Sequence, residues 1–517
     1  MELCDKYLHE LILFNPVMND YLKLDEYNHL RGRFPNFLTE EYTKKEDKLN
    51  KKYYNLLKKK KNKTFYDQLV YKDLKDYFKV SYFEDQYFPL SNSDNIYMNF
   101  IFDIKSSDSD YEFTDKQSYQ DFISRMKTLT PITTIILRDL KEGLKKKITI
   151  SGRIVRSLIN QMTESIQRNT YQNKFNHYRK IPNSIQKEFL DSIEKYIIRN
   201  IRKILKFLSE DYIQGCTNKI GLCSIKNGKK YYRDNIKLYT YKDYTPEKIH
   251  QIGLSEIKKY VSKIEKLKRD LKVKGSYNEF IHLMKNHKSS KTKDVINELK
   301  KIRKRILKDV FHKYFDGEIE EKDYYKIKKV TQEEKHTSAY YLLPDFRNKR
   351  EGTFFINSLN STQINKHELA VLSIHEGIPG HHYENYLLRK SDKPMYYKTS
   401  DYTAYSEGWA LYCEGLLEPL NHFEYFWQLI YNLHRCVRLV LDTGIHYFHW
   451  TYERSFQYMK QYLPFDDEYI KNEIERYISD PGQAVTYKIG ELLILELRKE
   501  YFKKKRGDYK GFHHLIL

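Results

Sequence analysis

The sequence predicts a mainly α, multi-helix protein with a central cleft and a small β-sheet beside the helix that carries its most reactive residues. Three observations predict it. Only 12 prolines and 19 glycines punctuate 517 residues, so long helices should dominate. Hydrophobic residues make up 40% and charged residues 31%, a globular balance in a chain long enough for a sizeable core. Residues 338–360 alone change character. There SAYYLLPDF and GTFFINSL, short, aromatic and β-branched, read as two strands or extended segments around Arg347–Gly352.

The elements follow in order. The first 70 residues read as helices broken near Pro16 and Pro35, and 45–63 is a basic amphipathic helix assigned to the surface. Residues 66–105 hold a helix and then an aromatic, turn-rich patch (YFEDQYFPLSNSDNIYMNF). Helical periodicity resumes over Tyr119–Leu140, and 151–214 reads as helices separated by Pro182. Residues 216–245 read as irregular, with a turn at Asn227-Gly228. Thr245 is placed to cap a helix with Pro246 at its first position, ending near Val273. Another helix spans roughly 277–312, and the pattern from 366 onward is helical again. Two regions result: 1–335, a helical wall of the cleft, and 336–517, which carries the site.

Composition excludes several classes. No stretch approaches ~18 consecutive apolar residues, so no membrane span is expected. Glu2 and Asp5 stand where a secretion signal would be positive. The five cysteines are odd in number and lack a CxxC spacing, which fits reduced thiols. An intracellular, cytoplasmic protein is the expectation. The formal charge of +22 would attract nucleic acid. The lysines are spread throughout, however, and the runs Lys58–Lys61, Lys145–Lys147 and Lys503–Arg506 read as solvated helix ends. Nucleic acid is therefore not expected as the partner.

Reactive chemistry concentrates in His375-Glu376-Gly377-Ile378-Pro379-Gly380-His381-His382. Catalytic zinc takes two or three imidazoles, often with a carboxylate, and keeps a position for water. In HExxH the histidines at i and i+4 share one helix face; here the i+4 residue is Pro379. On an unbroken helix, histidines at i and i+6 would point ~120° apart and sit ~9 Å apart along the axis. Pro379 breaks the ladder and Gly380 permits an unusual turn, so the chain can bring a later histidine back. His375 is then one ligand. His381 is the favoured second, with His382 the alternative; if His381 binds, His382 lies behind it or faces substrate. Glu407, in YSEGWALY, is the expected third ligand. Gly408 admits a close backbone, and Trp409 and Leu411 anchor the helix. Glu414, two turns on, could hydrogen-bond a ligand histidine. Glu376 is the expected general base, and one zinc ion the expected cofactor.

Two stretches downstream add candidates. Arg438, Asp442 and His446 fall at i, i+4 and i+8 on one face. An Arg438–Asp442 pair would orient a ligand or bind a substrate carboxylate, or be purely architectural. His446 could donate to the transition state. In Arg476–Lys488, Asp480 resembles an N-cap with Pro481 at the first helical position, and Gln483 and Tyr487 line one face. A tyrosine hydroxyl near zinc can stabilise an oxyanion. Among 48 tyrosines, Tyr477 and Tyr487 gain weight only from their polar neighbours. Arg438, Arg476, Gln483 and His382 are the expected substrate contacts.

HEGIPGHH, YSEGWALYCE, RLVLDTGIH and RYISDPGQAVTYKIG resemble, in that order, the motifs of the domain-of-unknown-function family 885. Its members are mostly bacterial and regarded as zinc metallopeptidases. SGRIV (151–155), NGKKYY (227–232) and TPEKIHQIGLSEI (245–257) match its N-terminal landmarks, so the resemblance covers nearly the whole chain. It implies a zincin-like fold akin to the angiotensin-converting-enzyme and thermolysin-like peptidases, whose third ligand is a glutamate. It carries over onto His375, Glu376, His381 or His382, and Glu407. It also marks Arg438, Asp442, His446, Arg476, Gln483 and Tyr487 as positions of the family pattern.

The expected function is zinc-dependent hydrolysis of short peptides, with Glu376 activating water and Tyr487, Tyr477 or His446 holding the oxyanion. An arginine near the end of the cleft would favour a carboxypeptidase or dipeptidase. Gly352–Leu359 is expected to pair with the substrate backbone as an edge strand. The alternatives are a zinc hydrolase of esters or non-peptide amides and a non-catalytic binding protein with a basic surface.

Overall fold

Helix-starting signals in the sequence become helix starts in the structure. The computed structural model describes residues 2–79, 90, 111–167, 181–287, 294–330, 339–345, 350–358, 365–418 and 420–517. The aromatic patch expected after residue 80 lies outside them, save Leu90. The chain is mainly helical with one small sheet, and it divides into two compact units. One comprises Met1–Ile220 with Pro394–Ser400; the other comprises Gly221–Lys393 with Asp401–Leu517.

In the first unit, Thr64 and Asp67 close a capping box that starts Phe65–Tyr77, and Asp115 and Ser118 do the same for Lys116–Lys146. The second helix outruns the expected Tyr119–Leu140 at both ends because its caps lie outside the apolar stripe. Ile132, Ile136 and Leu140 on that stripe are fully buried. A helix over Asn183–Ser192 follows Pro182, as expected.

The second unit carries the site. Its first helix, α1 (Gly228–Thr240), occupies a stretch read as irregular. Asn227 does turn, at φ 63°, but into a helix. Tyr232 and Ile236, one turn apart, bury in a cluster with Ile249, Leu439, Val485 and Ile489. Tertiary burial, which local pattern does not reveal, holds this helix. Helix α2 (Pro246–Asp270) begins as expected, with the Thr245 hydroxyl accepting from the Lys248 N–H. Both helices, expected in the N-terminal region, pack within this unit. The expected helix over 277–312 is divided: Tyr277–Lys285 ends, and Asp294 caps a new start at Val295.

The sheet joins β1 (Lys326–Lys329), β2 (Ala339–Leu342) and β3 (Thr353–Ile356) in the order β1-β3-β2. β2 and β3 fall in the two expected segments; β1 was not foreseen, since KIKK carries no strand pattern. β3 runs parallel to β1 and antiparallel to β2. The expected edge strand at Gly352–Leu359 is thereby corrected. Thr353–Ile356 is buried on both faces and paired on both edges, the position an unbroken apolar run favours.

The remaining helices are α3 (Glu368–Glu376), α4 (His381–Lys390), α5 (Thr403–Glu414), α6 (His422–His446), α7 (Asp467–Ser479) and α8 (Thr486–Lys504). The long α6 is buried on all sides through its middle and forms the core of the unit. Asp480 is not an N-cap: it ends α7, and α8 starts only at Thr486, after Gly482 at φ 97° and a turn of 3-10 helix. Among the described residues no helix is long and apolar enough to cross a membrane. None of the five cysteines forms a disulfide.

Candidate metal centre

The site grows from the break between α3 and α4. α3 ends when the Gly377 N–H bonds the Ser373 carbonyl at 3.0 Å. The chain then folds back on itself: the Gly380 N–H reaches the Ile374 carbonyl at 3.1 Å. A Cβ on Gly380 would lie 1.9 Å from the His375 carbonyl oxygen, so only glycine allows this approach. α4 restarts with the Glu384 N–H on the Gly380 carbonyl at 3.1 Å. The fold-back returns His381 to His375, their rings 5.0 Å apart and nearly perpendicular. The indole N–H of Trp409, on α5, takes the Pro379 carbonyl at 2.9 Å and ties the break to that helix.

α5 also supplies Glu407. Its Oε2 lies 3.6 Å from Nε2 of His375 and 3.6 Å from Nε2 of His381. One ligand atom from each of the three residues falls within 4.8 Å of the others. Glu407 Oε2 is buried and has no hydrogen-bond partner. These separations are too long for good hydrogen bonds. They match ligand atoms on a tetrahedral ion, which at ~2.1 Å from the metal lie ~3.4 Å apart. The donor set fits a zinc-type cation.

Neighbours fix how each of the three side chains faces. The His375 Nδ1–H donates to Glu414 Oε1 at 2.9 Å. The His381 Nδ1–H donates to the Ser406 hydroxyl at 3.2 Å, which donates to Glu384 Oε2 at 2.9 Å. Both Nε2 lone pairs are thus directed at Glu407. Burial opposes protonation of His375, yet Glu407, Glu414 and Glu376 together raise its pKa. Burial likewise opposes protonation of His381, and Glu384, Glu407 and Glu376 push it well above the usual histidine range. Burial would raise the Glu407 carboxyl, but the two imidazoles hold it well below the carboxylate range. The same field that draws protons to the imidazoles would draw a divalent cation. Glu376 is buried, its charge acts on both histidines, and it makes no hydrogen bond or ion pair among the described residues.

His382 faces elsewhere. Its Nδ1 accepts from the Tyr341 hydroxyl at 2.9 Å and its Nε2–H donates to the Asp323 carbonyl at 2.9 Å. Burial lowers it to about 4. With both nitrogens engaged it is a strut between α4 and β2, neither ligand nor substrate contact.

Further expectations change. Arg438 does not pair with Asp442: its NH2 binds Glu473 Oε2 at 2.9 Å, because α7 packs on α6. Asp442 instead accepts from the Tyr232 hydroxyl and from the Gly482 N–H at 3.2 Å. His446 accepts from the Leu222 N–H at 3.3 Å and donates to the Tyr477 carbonyl at 2.8 Å, and burial lowers it to about 4. It is a neutral brace, not a transition-state donor. The Tyr477 hydroxyl donates to Glu473 Oε2 at 2.7 Å and accepts from Arg438 Nε at 3.2 Å, so its proton is committed.

Tyr487 remains at the centre. It is half-buried, and after burial itself the Glu407 carboxylate is the next cause that raises its phenol. The Arg438 guanidinium lies 4.4 Å over its ring. Arg476 binds Gln483 Oε1 at 2.7 Å and Glu473 at 3.1 Å, so both reach this neighbourhood. Sequence reasoning missed Glu384, Ser406, Arg435 and Glu473. Glu384, three residues after His381, and Ser406, beside Glu407, had local signals. Glu473 had none.

The protein is thus mainly helical and built around a part-buried His–His–Glu cluster. The chain belongs to the family described as bacterial protein of unknown function (DUF885), whose model matches residues 16–517. Two solved structures share the fold. One, described as the "putative lipoprotein" from Colwellia psychrerythraea, aligns with a TM-score of 0.84 and 21% identity over 100% of this chain and 95% of its own. The other, described as a "putative lipoprotein" of unknown function from Shewanella oneidensis, aligns with a TM-score of 0.74 and 16% identity over 99% and 95%. No curated protein matches. The expectation of an intracellular, cytoplasmic protein is corrected by these findings. Both of these structures are described as lipoproteins, so the fold does not mark a cytoplasmic protein.

Proposed function

We propose that the chain is a zinc-dependent peptidase of zincin-like type acting on short peptides. One observation carries the reading: Glu407 Oε2, buried without a hydrogen-bond partner, stands 3.6 Å from two imidazole nitrogens, and the charge of Glu376 acts on both imidazoles. His375, His381 and Glu407 would hold the ion. When bound, it supplies a Lewis acid and lowers the pKa of water. Glu376, which lacks a competing partner, accepts a proton from the attacking water and passes it to the leaving amine. The Tyr487 hydroxyl donates to the carbonyl oxygen as negative charge develops there. Glu414 and the Ser406–Glu384 pair keep both imidazoles in the tautomer that binds metal.

The test is metal analysis of the purified protein, followed by a peptide panel before and after chelation. Stoichiometric zinc and hydrolysis that needs both zinc and Glu376 are expected. Hydrolysis that survives both chelation and Glu376→Gln would sink the proposal.

A further inference from the structure

A buried charged cluster lies against the metal centre, and its hydrogen bonding is incomplete. α6 presents Arg435 and Arg438 one turn apart, only 5% and 6% exposed. Arg438 engages Tyr477 through Nε and Glu473 through NH2, but its NH1 is buried with no partner. Arg435 NH2 lies 3.4 Å from Glu414 Oε1, and its Nε is also buried with no partner. Natural folds rarely leave charged donors dry and unpaired. The direct ion pairs are unbalanced as well. Arg435, Arg438 and Arg476 face two carboxylates, Glu414 and Glu473. Burial and Arg438 push His434 down to about 3, so it adds no charge. A water molecule could satisfy a donor; an anion would satisfy it and also pair the arginine that outnumbers the carboxylates.

The cluster adjoins the centre from two directions. Arg435 touches Glu414, the carboxylate that holds His375 Nδ1. Arg438 covers the ring of Tyr487, whose phenol feels Glu407. Solvent reaches it through Tyr487 and Gln483, both half-buried, and through Arg476, whose side chain is 31% exposed.

We infer that Arg435 and Arg438, with Gln483, recognise the free carboxylate of a peptide's C-terminus. The centre then acts at or near that end. Guanidinium groups suit this ligand because they meet a carboxylate with two parallel N–H donors. The inference rests on the hydrolytic reading of the His375–His381–Glu407 centre.

The experiment uses the full chain, loaded with zinc and carrying Glu376→Gln to prevent turnover. Calorimetry compares an acetylated tripeptide as free acid and as C-terminal amide. The free acid should bind about 30-fold tighter. Arg438→Gln should shrink that ratio below about threefold, and Arg438→Lys should restore part of it. Circular dichroism checks that each variant is folded. If Arg438→Gln does not fold, the acid-to-amide ratio in the Glu376→Gln protein alone decides. Equal affinity for acid and amide, or no binding of either, overturns the inference. So does a folded Arg438→Gln variant that discriminates as before. Hydrolysis is measured separately with the unsubstituted protein. Preferential binding of the acid without hydrolysis of either peptide sinks the hydrolytic reading and leaves the carboxylate site standing. Hydrolysis of both at equal rates does the reverse.

Discussion

Gly408 and Gly490 meet backbone to backbone: a Cβ on Gly408 would lie 2.4 Å from the Gly490 carbonyl carbon. This contact sets the distance between α5 and α8, and hence between Glu407 and Tyr487. A Cβ on Gly490 would lie 1.8 Å from the Ala404 carbonyl oxygen. Gly490→Ala should therefore force the helices apart and cost about 3 kcal/mol, read as a shift in the urea midpoint. An unchanged midpoint would refute the contact.

The two adjacent histidines should separate by metal content. His381→Ala should lose the ion on dialysis, whereas His382→Ala should keep it, measured as metal per chain. His382→Ala should instead lower thermal stability, because it frees the Tyr341 hydroxyl and the Asp323 carbonyl. The opposite pattern would place the ligand at 382.

Glu414→Gln should weaken metal affinity by about 10–100-fold, read by competition with a chelator. The carboxylate makes the Nδ1–H bond that orients His375, and an amide accepts it less strongly. Affinity equal to that of the unsubstituted protein would remove Glu414 from this role.

Glu376→Gln should lower turnover by about 10³-fold while leaving metal content unchanged. Tyr487→Phe should lower kcat more than it raises KM, since its hydroxyl acts on developing charge. Loss of metal in Glu376→Gln would mean that Glu376 is a ligand rather than a base.

Asp442 introduces a pH dependence of stability. Burial pushes its carboxyl up to about 7, against the relief offered by Tyr232 and the Gly482 N–H. The folded pKa lies above the unfolded one, so the folded state binds the proton more tightly. The stabilisation is fully present below about pH 4 and is lost as pH rises through about 7, with a slope of at most about 1.4 kcal/mol per unit. Asp442→Asn, which mimics the protonated form, should flatten this part of the profile in urea melts between pH 4 and 8. A profile parallel to the unsubstituted protein's would exclude Asp442 as the source.

Much of the centre could be read in the sequence because its logic is local. Pro379 and Gly380 announce a broken helix through the missing N–H and the missing Cβ. Gly408 beside Glu407 announces a close backbone, and Glu414 lies two turns along the same face. Expectations failed where the partner was distant. Arg438 and Asp442 share a helix face, yet each bonds another element: Glu473, 35 residues away, and Tyr232, 210 away. His446 and Tyr477 have side chains of catalytic type, but His446 spends its ring on Leu222 and the Tyr477 carbonyl, and Tyr477 its hydroxyl on Glu473. α1 escaped notice because its apolar face matters only once α2 and α6 cover it.

A mainly helical chain, a helix broken between two histidines, and a carboxylate on a following helix to join them are written in the local sequence. These follow from periodicity and from the covalent limits of proline and glycine, which act over a few residues. Long-range packing settles that His381 rather than His382 faces Glu407, that β3 is central rather than at an edge, and that two arginines lie buried with donors to spare. Those outcomes depend on which elements pack together. Packing pairs groups far apart in the chain by burial and charge, which local pattern does not encode.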